Sequence, residues 1–150
     1  MPIKILFVCT GNTCRSPMAA ALLKNAAERA GLDLRVDSAG LAAFPGVPYT
    51  AEAVEALGEK GIAWEGGVSQ PLSKDLVLGA DLLFTMTAQH RDAILRKMPA
   101  LQGKVFLFSE YASGEARDVE DPMGLGLDAY RGVRDLLARY VSESILKLQG

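Results

Sequence analysis

The chain has few of the residues that metal, disulfide and acid–base sites commonly use. Its 150 residues include two cysteines and one histidine, too few for a structural zinc site. Cys9 and Cys14 lie five positions apart and do not resemble a structural disulfide, so a reducing, cytoplasmic compartment is expected. His90 is predicted near the start of a helix, and nothing in the sequence brings it to Cys9. A Cys–His peptidase is therefore not indicated, and His90 is predicted to lie at the surface or to cap its helix.

Charge and hydropathy argue against two classes of partner. The net charge is −2 with a pI near 5.4, and the lysines and arginines are scattered, so no nucleic-acid surface is expected. No apolar run approaches the roughly 20 residues of a membrane span. Because a predicted strand begins almost at the first residue, no signal peptide is expected. With 49% hydrophobic and 23% charged residues, the chain is predicted to form one soluble domain over residues 1–150 and to be a monomer.

The most informative stretch is residues 9–16, Cys-Thr-Gly-Asn-Thr-Cys-Arg-Ser. An apolar run over residues 3–8 predicts a buried strand before it, and the residues after it predict a helix. Such a strand–loop–helix connection aims backbone N–H groups and the positive end of a helix dipole at one point, where anions bind. A thiolate at Cys9 would be stabilised there, and Arg15 could hold two oxygens of a phosphate. The stretch therefore predicts a cysteine-dependent phosphatase, although a buried cysteine is more often only a small apolar residue.

The rest of the chain alternates predicted strands and helices. The predicted strands cover residues 3–8, 34–38, 81–86 and 105–108. The predicted helices cover residues 17–30, 51–61 after a Thr50 cap, 74–79 after a Ser73 cap, 88–97, and a closing helix after residue 127. Residues 109–127 are predicted to be a long polar loop. This alternation predicts an α/β fold, a parallel sheet with helices on both faces, with ligands bound at the carboxyl ends of the strands.

A phosphocysteine mechanism also needs a proton donor and a base. In the long polar loop, Asp121 precedes Pro122, which favours an extended backbone at Asp121 and gives its carboxyl a defined direction. Asp121 is therefore the candidate acid, although acidic loop residues are mostly only solvated. Phe44, in a loop of small residues, could cover the core or form the wall of a substrate cleft.

With Cys9, Arg15 six residues later, and Asp121–Pro122, the chain resembles the low-molecular-weight protein tyrosine phosphatases over essentially its full length. The resemblance implies a three-layer sandwich around a four-stranded parallel sheet, phosphorylated proteins as substrates, and no metal or other cofactor. It implies that Cys9 attacks phosphorus and that Arg15 and the loop amides hold the phosphoryl oxygens. Asp121 would protonate the leaving group and then activate water.

The same resemblance implies supporting roles for other residues. Asn12 would hold the shape of the loop with Ser38 as its partner, and Ser16 would donate a hydrogen bond to the Cys9 thiolate. Phe44 and Met123 would flank the substrate. The substrate-binding residues implied in this way are Thr10, Gly11, Asn12, Thr13, Cys14, Ser16, Phe44 and Met123.

Within the family, the chain is more similar to the protein-arginine phosphatases of Gram-positive bacteria, which carry the run seen here over residues 9–18. Tyrosine-directed members usually have a bulky aliphatic residue in place of Thr13, and many have a histidine near Gly67. A guanidinium presents N–H donors that need acceptors, and a threonine hydroxyl can supply one. Phosphoarginine in proteins is therefore the predicted substrate, with phosphotyrosine as the alternative; Thr13 could also simply pack within the loop.

Other functions fit the sequence less well. Arsenate reductases of similar fold need further cysteines, and this chain has none after Cys14. A non-catalytic phosphopeptide-binding module would not need Cys9, Arg15 and Asp121 together. Cys14 could also trap oxidised Cys9 as a reversible disulfide; the alternative is a buried small residue.

Overall fold

The computed structural model describes residues 2–64 and 67–150. The strands are β1 (Ile3–Cys9), β2 (Leu34–Gly40), β3 (Leu82–Thr85) and β4 (Val105–Leu107). The helices are α1 (Arg15–Ala30), α2 (Ala51–Gly58), α3 (Lys74–Gly79), α4 (Ala88–Lys97), a 3₁₀ turn (Pro99–Leu101), α5 (Phe108–Ser113) and α6 (Leu127–Gln149). The strands pair in parallel in the order β2-β1-β3-β4. The predicted four-stranded parallel sheet is confirmed.

The sheet has an apolar layer on each face, because successive side chains of β1 point to opposite sides. Ile5 and Phe7 belong to the larger core, to which α1, α2, α5 and α6 contribute. Leu6 and Val8 belong to the smaller core, to which α3 and α4 contribute. Helices therefore cover both faces of the sheet, as predicted. The connections that follow the strands lie at the carboxyl edge of the sheet.

Several local predictions are also confirmed. Thr50 caps α2 by accepting a hydrogen bond from the Ala53 N–H, and Ser73 caps α3 by accepting one from the Leu76 N–H. The bounds of α4 are those predicted from the apolar spacing. In each case the signal is local: a capping side chain, or a helical period followed by Pro99.

The prediction of a polar loop from residue 109 onward is wrong at its start. Residues 108–113 form α5, and Phe108, predicted to end the last strand, is its first residue. Phe108 and Ala112, four positions apart, are buried against α6, and the helix ends at Gly114, whose φ is 78°. A helix of six residues with so few apolar positions gives too short a periodic pattern to recognise in a sequence.

Three other element ends differ from the prediction by two residues or more. Helix α1 begins at Arg15, two residues early, and α2 ends at Gly58 rather than near Gly61. Strand β2 continues two residues further, to Gly40, because it stays paired with β1 as far as Cys9. A Cβ at Gly40 would lie 2.5 Å from the Thr10 carbonyl oxygen, so the close approach of these two segments requires glycine.

Candidate active site

Cys9 ends β1 at the centre of the carboxyl edge of the sheet, and residues 9–15, the Cys9 loop, lead directly into α1. The Cys9 side chain is buried, and its Sγ lies 2.9 Å from Ser16 Oγ. The Asn12 backbone N–H donates to the same sulfur at 3.3 Å. Two polar groups thus converge on one thiol at the start of a helix. Both groups can donate a hydrogen bond to the sulfur, as expected around a nucleophilic cysteine.

Asn12 holds the shape of the Cys9 loop. Its φ is 57°, a left-handed conformation that asparagine adopts more readily than most residues. Its side chain is fully buried and donates to Ser16 Oγ at 2.8 Å and to Ser38 Oγ at 2.9 Å. Its Oδ1 accepts from the Gln70 N–H at 2.9 Å. The expected contact with Ser38 is present, whereas the contact with Gln70 was not predicted.

Arg15 is the last residue of the Cys9 loop and is buried, with 6% of its surface exposed. Its Nη1 donates to the Val119 carbonyl at 3.0 Å, and its Nη2 lies 3.9 Å from Asp121 Oδ2. Its Nε is buried and has no hydrogen-bond partner within residues 2–64 and 67–150. A buried donor without an acceptor is costly. The guanidinium therefore has a donor available for an anion at the Cys9 loop.

Asp121 is brought to this site by the segment that follows α5. Its side chain is about half exposed, at 52%, and its Oδ1 accepts from the Met123 N–H at 3.1 Å. The Cys14 thiol lies 3.6 Å from the same oxygen and donates to it. Burial, the Asp121 carboxylate and Cys9 raise the pKa of Cys14 to about 12, so Cys14 stays a thiol and remains a donor at neutral pH. The carboxyl is thus oriented by two donors at the mouth of the site.

The remaining residues of the Cys9 loop are fixed by neighbouring segments. The Thr10 carbonyl accepts from the Ala42 N–H at 3.0 Å. The Thr13 carbonyl accepts from the Thr50 N–H at 3.0 Å, which ties the loop to the start of α2. Thr13 itself is buried, at 8% exposure. The loop is therefore held by backbone hydrogen bonds to two neighbouring segments.

Phe44 and Met123, two of the sequence-predicted site residues, are exposed, at 77% and 53%. The loop that carries Phe44 is held by Ser69, a residue that sequence reasoning missed. The buried Ser69 hydroxyl donates to the Phe44 carbonyl and accepts from the Val47 N–H at 3.0 Å. Since Gln70 follows directly and binds Asn12, one short segment connects the Phe44 loop to the Cys9 loop. No sequence motif indicates this, because the segments are far apart in the chain.

At Gly67, the position near which related enzymes often carry histidine, the Tyr49 ring lies where a side chain would have to be. A residue with a Cβ would clash there unless the ring moved. The hydrogen bonds to Asn12 are supplied instead by Ser16, Ser38 and the Gln70 N–H. The loop is therefore supported without a histidine at this position.

The only histidine of the chain is close to the Cys9 loop. His90 Nε2 lies 2.9 Å from Thr10 Oγ1, and its Nδ1 accepts from the Thr87 N–H in a capping box. The predicted capping role is confirmed, but His90 is not at the surface, since only 6% of it is exposed. Burial and the charge of Arg15 lower the pKa of His90 to about 4. Its proximity to the site could not be foreseen, because 80 positions separate it from Thr10.

Two other classes of feature are absent from the described residues. No group of three or more histidine, cysteine or acidic side chains there has the arrangement of a metal site. Among the helices of the same residues, none combines the length and the apolarity needed to span a bilayer.

Comparison with known proteins finds relatives along nearly the whole chain. The family model described as low molecular weight phosphotyrosine protein phosphatase matches residues 4–149. A protein-arginine-phosphatase of Bacillus subtilis (strain 168) is 47% identical over 145 residues, 97% of this chain and 96% of the relative. One from Geobacillus stearothermophilus is 41% identical over 149 residues, 99% and 98% of the two chains.

A solved structure of YwlE arginine phosphatase superposes with a TM-score of 0.94. It is 46% identical and covers 98% of this chain and 96% of its own. That protein is a cysteine-to-serine mutant whose active-site serine is phosphorylated.

Proposed function

Since the chain belongs to the low molecular weight phosphotyrosine protein phosphatase family, we propose that it is a cysteine-dependent protein phosphatase that removes phosphate from phosphoarginine in proteins. It would act on phosphorylated proteins in the cytoplasm as a single-domain monomer. The arrangement of Cys9, Arg15 and Asp121 supports the chemistry, and the identity to two protein-arginine-phosphatases supports the substrate. Phosphotyrosine is the second candidate, because the family as a whole is described by it.

The observation that carries the proposal is the convergence of three groups at the Cys9 loop. The Cys9 sulfur has hydrogen-bond partners in Ser16 and the Asn12 N–H. Arg15 has a buried Nε without an acceptor among the described residues, and Asp121 lies beside the same guanidinium. Phosphoryl transfer needs a nucleophile, a donor to the phosphoryl oxygens and a carboxylic acid. Cys9, Arg15 and Asp121 would supply these three groups.

In the first step, the Cys9 thiolate attacks phosphorus, and the phosphorus–nitrogen bond of phosphoarginine breaks. The electron pair of that bond goes to the leaving nitrogen, which takes a proton from Asp121. The loop amides and Arg15 would stabilise the charge on the phosphoryl oxygens as it develops. The products of this step are a phosphocysteine at position 9 and the free arginine side chain.

In the second step, water attacks the phosphocysteine and the sulfur–phosphorus bond breaks. Asp121, now a carboxylate, takes the proton of the attacking water. Inorganic phosphate leaves and the Cys9 thiolate is restored, with Ser16 and the Asn12 N–H as its partners. All proton transfers are thus assigned to side chains of this chain, and the proposed cycle uses no cofactor.

Substrate choice is proposed to depend on Thr13. Thr13 is buried in the Cys9 loop, and its hydroxyl would lie near the group that carries the phosphate. A guanidinium needs acceptors for its N–H groups, and an aliphatic side chain would leave one of them unpaired. A phenyl ring has no such need and would gain from an apolar wall.

The wild-type protein is expected to hydrolyse phosphoarginine in a phosphorylated protein faster than phosphotyrosine in a peptide, and Thr13→Ile should shift the ratio of kcat/KM toward phosphotyrosine by about tenfold. The measurement is phosphate release from both substrates by the same enzyme preparation. Thr13→Ser, which keeps the hydroxyl, should retain the arginine preference, whereas Thr13→Val should lose it. A wild-type preference for phosphotyrosine that Thr13→Ile leaves unchanged would contradict the assignment.

Cys14 is proposed to protect the nucleophile from irreversible oxidation. Peroxide would convert the Cys9 thiolate to a sulfenic acid, which the Cys14 thiol would displace to form a disulfide with loss of water. Both cysteines are free thiols in the structure, the state that a reducing compartment maintains. Because the pKa of Cys14 is raised to about 12, little thiolate is available, and this closure is expected to be slow at neutral pH and faster at higher pH.

Mild peroxide treatment followed by peptide mass mapping should therefore find a Cys9–Cys14 disulfide, and a reductant should restore full activity. In Cys14→Ala the same treatment should instead drive Cys9 to irreversible sulfinic acid. Over-oxidised Cys9 beside an unmodified Cys14 in the wild type would count against the proposed protection.

A further inference from the structure

His90 has a defined partner on each ring nitrogen, and one of these partners belongs to the Cys9 loop. Its Nδ1 lies 3.2 Å from the Thr87 backbone nitrogen, which carries a proton and can only donate. Nδ1 is therefore unprotonated, and in the neutral ring the proton is on Nε2. Nε2–H then donates to Thr10 Oγ1, 2.9 Å away.

The ring is neutral under ordinary conditions. Burial, and next the charge of Arg15, lower the pKa of His90 to about 4. A cationic ring would also donate from Nδ1 and would lose the hydrogen bond from Thr87. The direction of the bond to Thr10 is thus determined by the capping box at the start of α4.

Thr10 occupies the position directly after the nucleophile. Its carbonyl accepts from the Ala42 N–H, and its side chain is bound by His90, so both its backbone and its hydroxyl are held. Because Oγ1 accepts from His90, the hydroxyl proton points to a different acceptor. Thr10 is itself exposed, so that acceptor can be a group of a bound ligand.

We propose that His90 is a positioning residue for the Cys9 loop: its neutral ring donates Nε2–H to Thr10, fixes the residue that follows the nucleophile, and directs the Thr10 hydroxyl proton to a phosphoryl oxygen. This inference rests on the proposed phosphatase function. It connects α4, on the far side of the sheet from α1, to the loop that holds the phosphate.

A double-mutant cycle tests whether His90 acts through Thr10. His90→Gln keeps a residue suited to the capping box and removes the imidazole donor, while Thr10→Val removes the hydroxyl. Each single variant should lower kcat/KM for the phosphorylated protein by about tenfold, and the double variant should be no worse than either. Thr10→Ser should recover most of the wild-type kcat/KM. Losses that simply multiply in the double variant would overturn the proposal.

A matched control separates positioning from helix stability. Ile94→Val shortens a buried side chain of α4 and leaves both the capping box and Thr10 unchanged. It should lower the Tm and leave kcat/KM unchanged, whereas His90→Gln should lower kcat/KM at an unchanged Tm. If kcat/KM follows Tm through both variants, His90 only stabilises the helix and the proposal fails.

Two readouts do not depend on activity. Because the chain has one histidine, the ¹⁵N NMR signals of the ring belong to His90 without assignment, and they should show an Nε2-protonated neutral ring from pH 7 to below pH 5. The affinity for inorganic phosphate should fall about tenfold in His90→Gln and in Thr10→Val. An Nδ1-protonated or cationic ring at pH 7 would refute the inference. Failure to hydrolyse either phosphoprotein, with both readouts as expected, would count against the proposed function alone.

Discussion

Replacing Cys9 by serine is expected to reduce the turnover of phosphorylated protein by about 10⁴-fold or more. In the proposed mechanism the sulfur at position 9 is the nucleophile, and Ser16 Oγ and the Asn12 N–H are its hydrogen-bond partners. A serine hydroxyl at the same position keeps its proton, and no general base lies within the described contacts of Cys9 to remove it. The variant would keep the oxyanion donors, so it should still bind phosphate.

The measurement is phosphate release together with the intact mass of the protein after long incubation with substrate. In a solved relative, a cysteine-to-serine mutant, the active-site serine is phosphorylated. Cys9→Ser is therefore expected to accumulate one phosphate, because the oxygen–phosphorus ester is harder to hydrolyse than the phosphocysteine. Cys14→Ser, which replaces the other buried cysteine, should keep most of the turnover. Near-normal turnover by Cys9→Ser would eliminate the phosphocysteine mechanism.

The parts of the site that could be predicted are those encoded locally. Cys9 and Arg15 lie on one strand–loop–helix connection, so their spacing alone indicates that they share a site. Asp121 could be suggested because Pro122 restricts its backbone. The contact between Asp121 and Cys14 could not be predicted, because it joins residues 107 positions apart.

The supports of the Cys9 loop were harder to predict for the same reason. Gln70 binds Asn12 through its backbone N–H, a group that every residue except proline has, so residue type carries no information about the contact. Ser69 binds a carbonyl and an N–H of the Phe44 loop. A serine in an irregular segment can make many other contacts, so its presence does not predict these two. His90 was placed correctly in its helix, but the loop that it faces is set by the order of the strands in the sheet.

Where the strands and helices are long, their hydrophobic periodicity was sufficient to predict them. Strand β1 and helices α1 and α4 have clear apolar spacing or clear caps, and their predicted bounds are close to those observed. Helix α5 was missed, because its Phe108 continues the apolar run of β4 without a break. At Phe108, a strand and a helix are distinguished only by the packing of the ring against Tyr140 of α6.

Arg15→Lys is expected to lower kcat/KM for the phosphorylated protein by about 10³-fold. The guanidinium binds the Val119 carbonyl with Nη1 and lies next to Asp121 with Nη2, and its buried Nε has no acceptor among the described residues. A lysine ammonium keeps the charge but is a compact group, and it cannot reach Val119 and hold two phosphoryl oxygens at once. The loss should therefore be mainly in kcat, since the missing donor acts on charge that develops in the transition state.

The control is Arg134→Lys, because Arg134 is buried to the same degree, at 6% exposure, and binds Glu59 and the Ala56 carbonyl. It should lower the Tm and leave kcat/KM unchanged, which separates the cost of changing a buried arginine from the loss of a phosphate donor. Steady-state kinetics and thermal unfolding of both variants make the comparison. If Arg15→Lys keeps kcat/KM within about tenfold of the wild type, the amides of the Cys9 loop are sufficient to stabilise the phosphoryl oxygens. The unpaired Nε would then have to serve another acceptor, and the position of Arg15 beside Asp121 would be explained by the orientation of the acid alone.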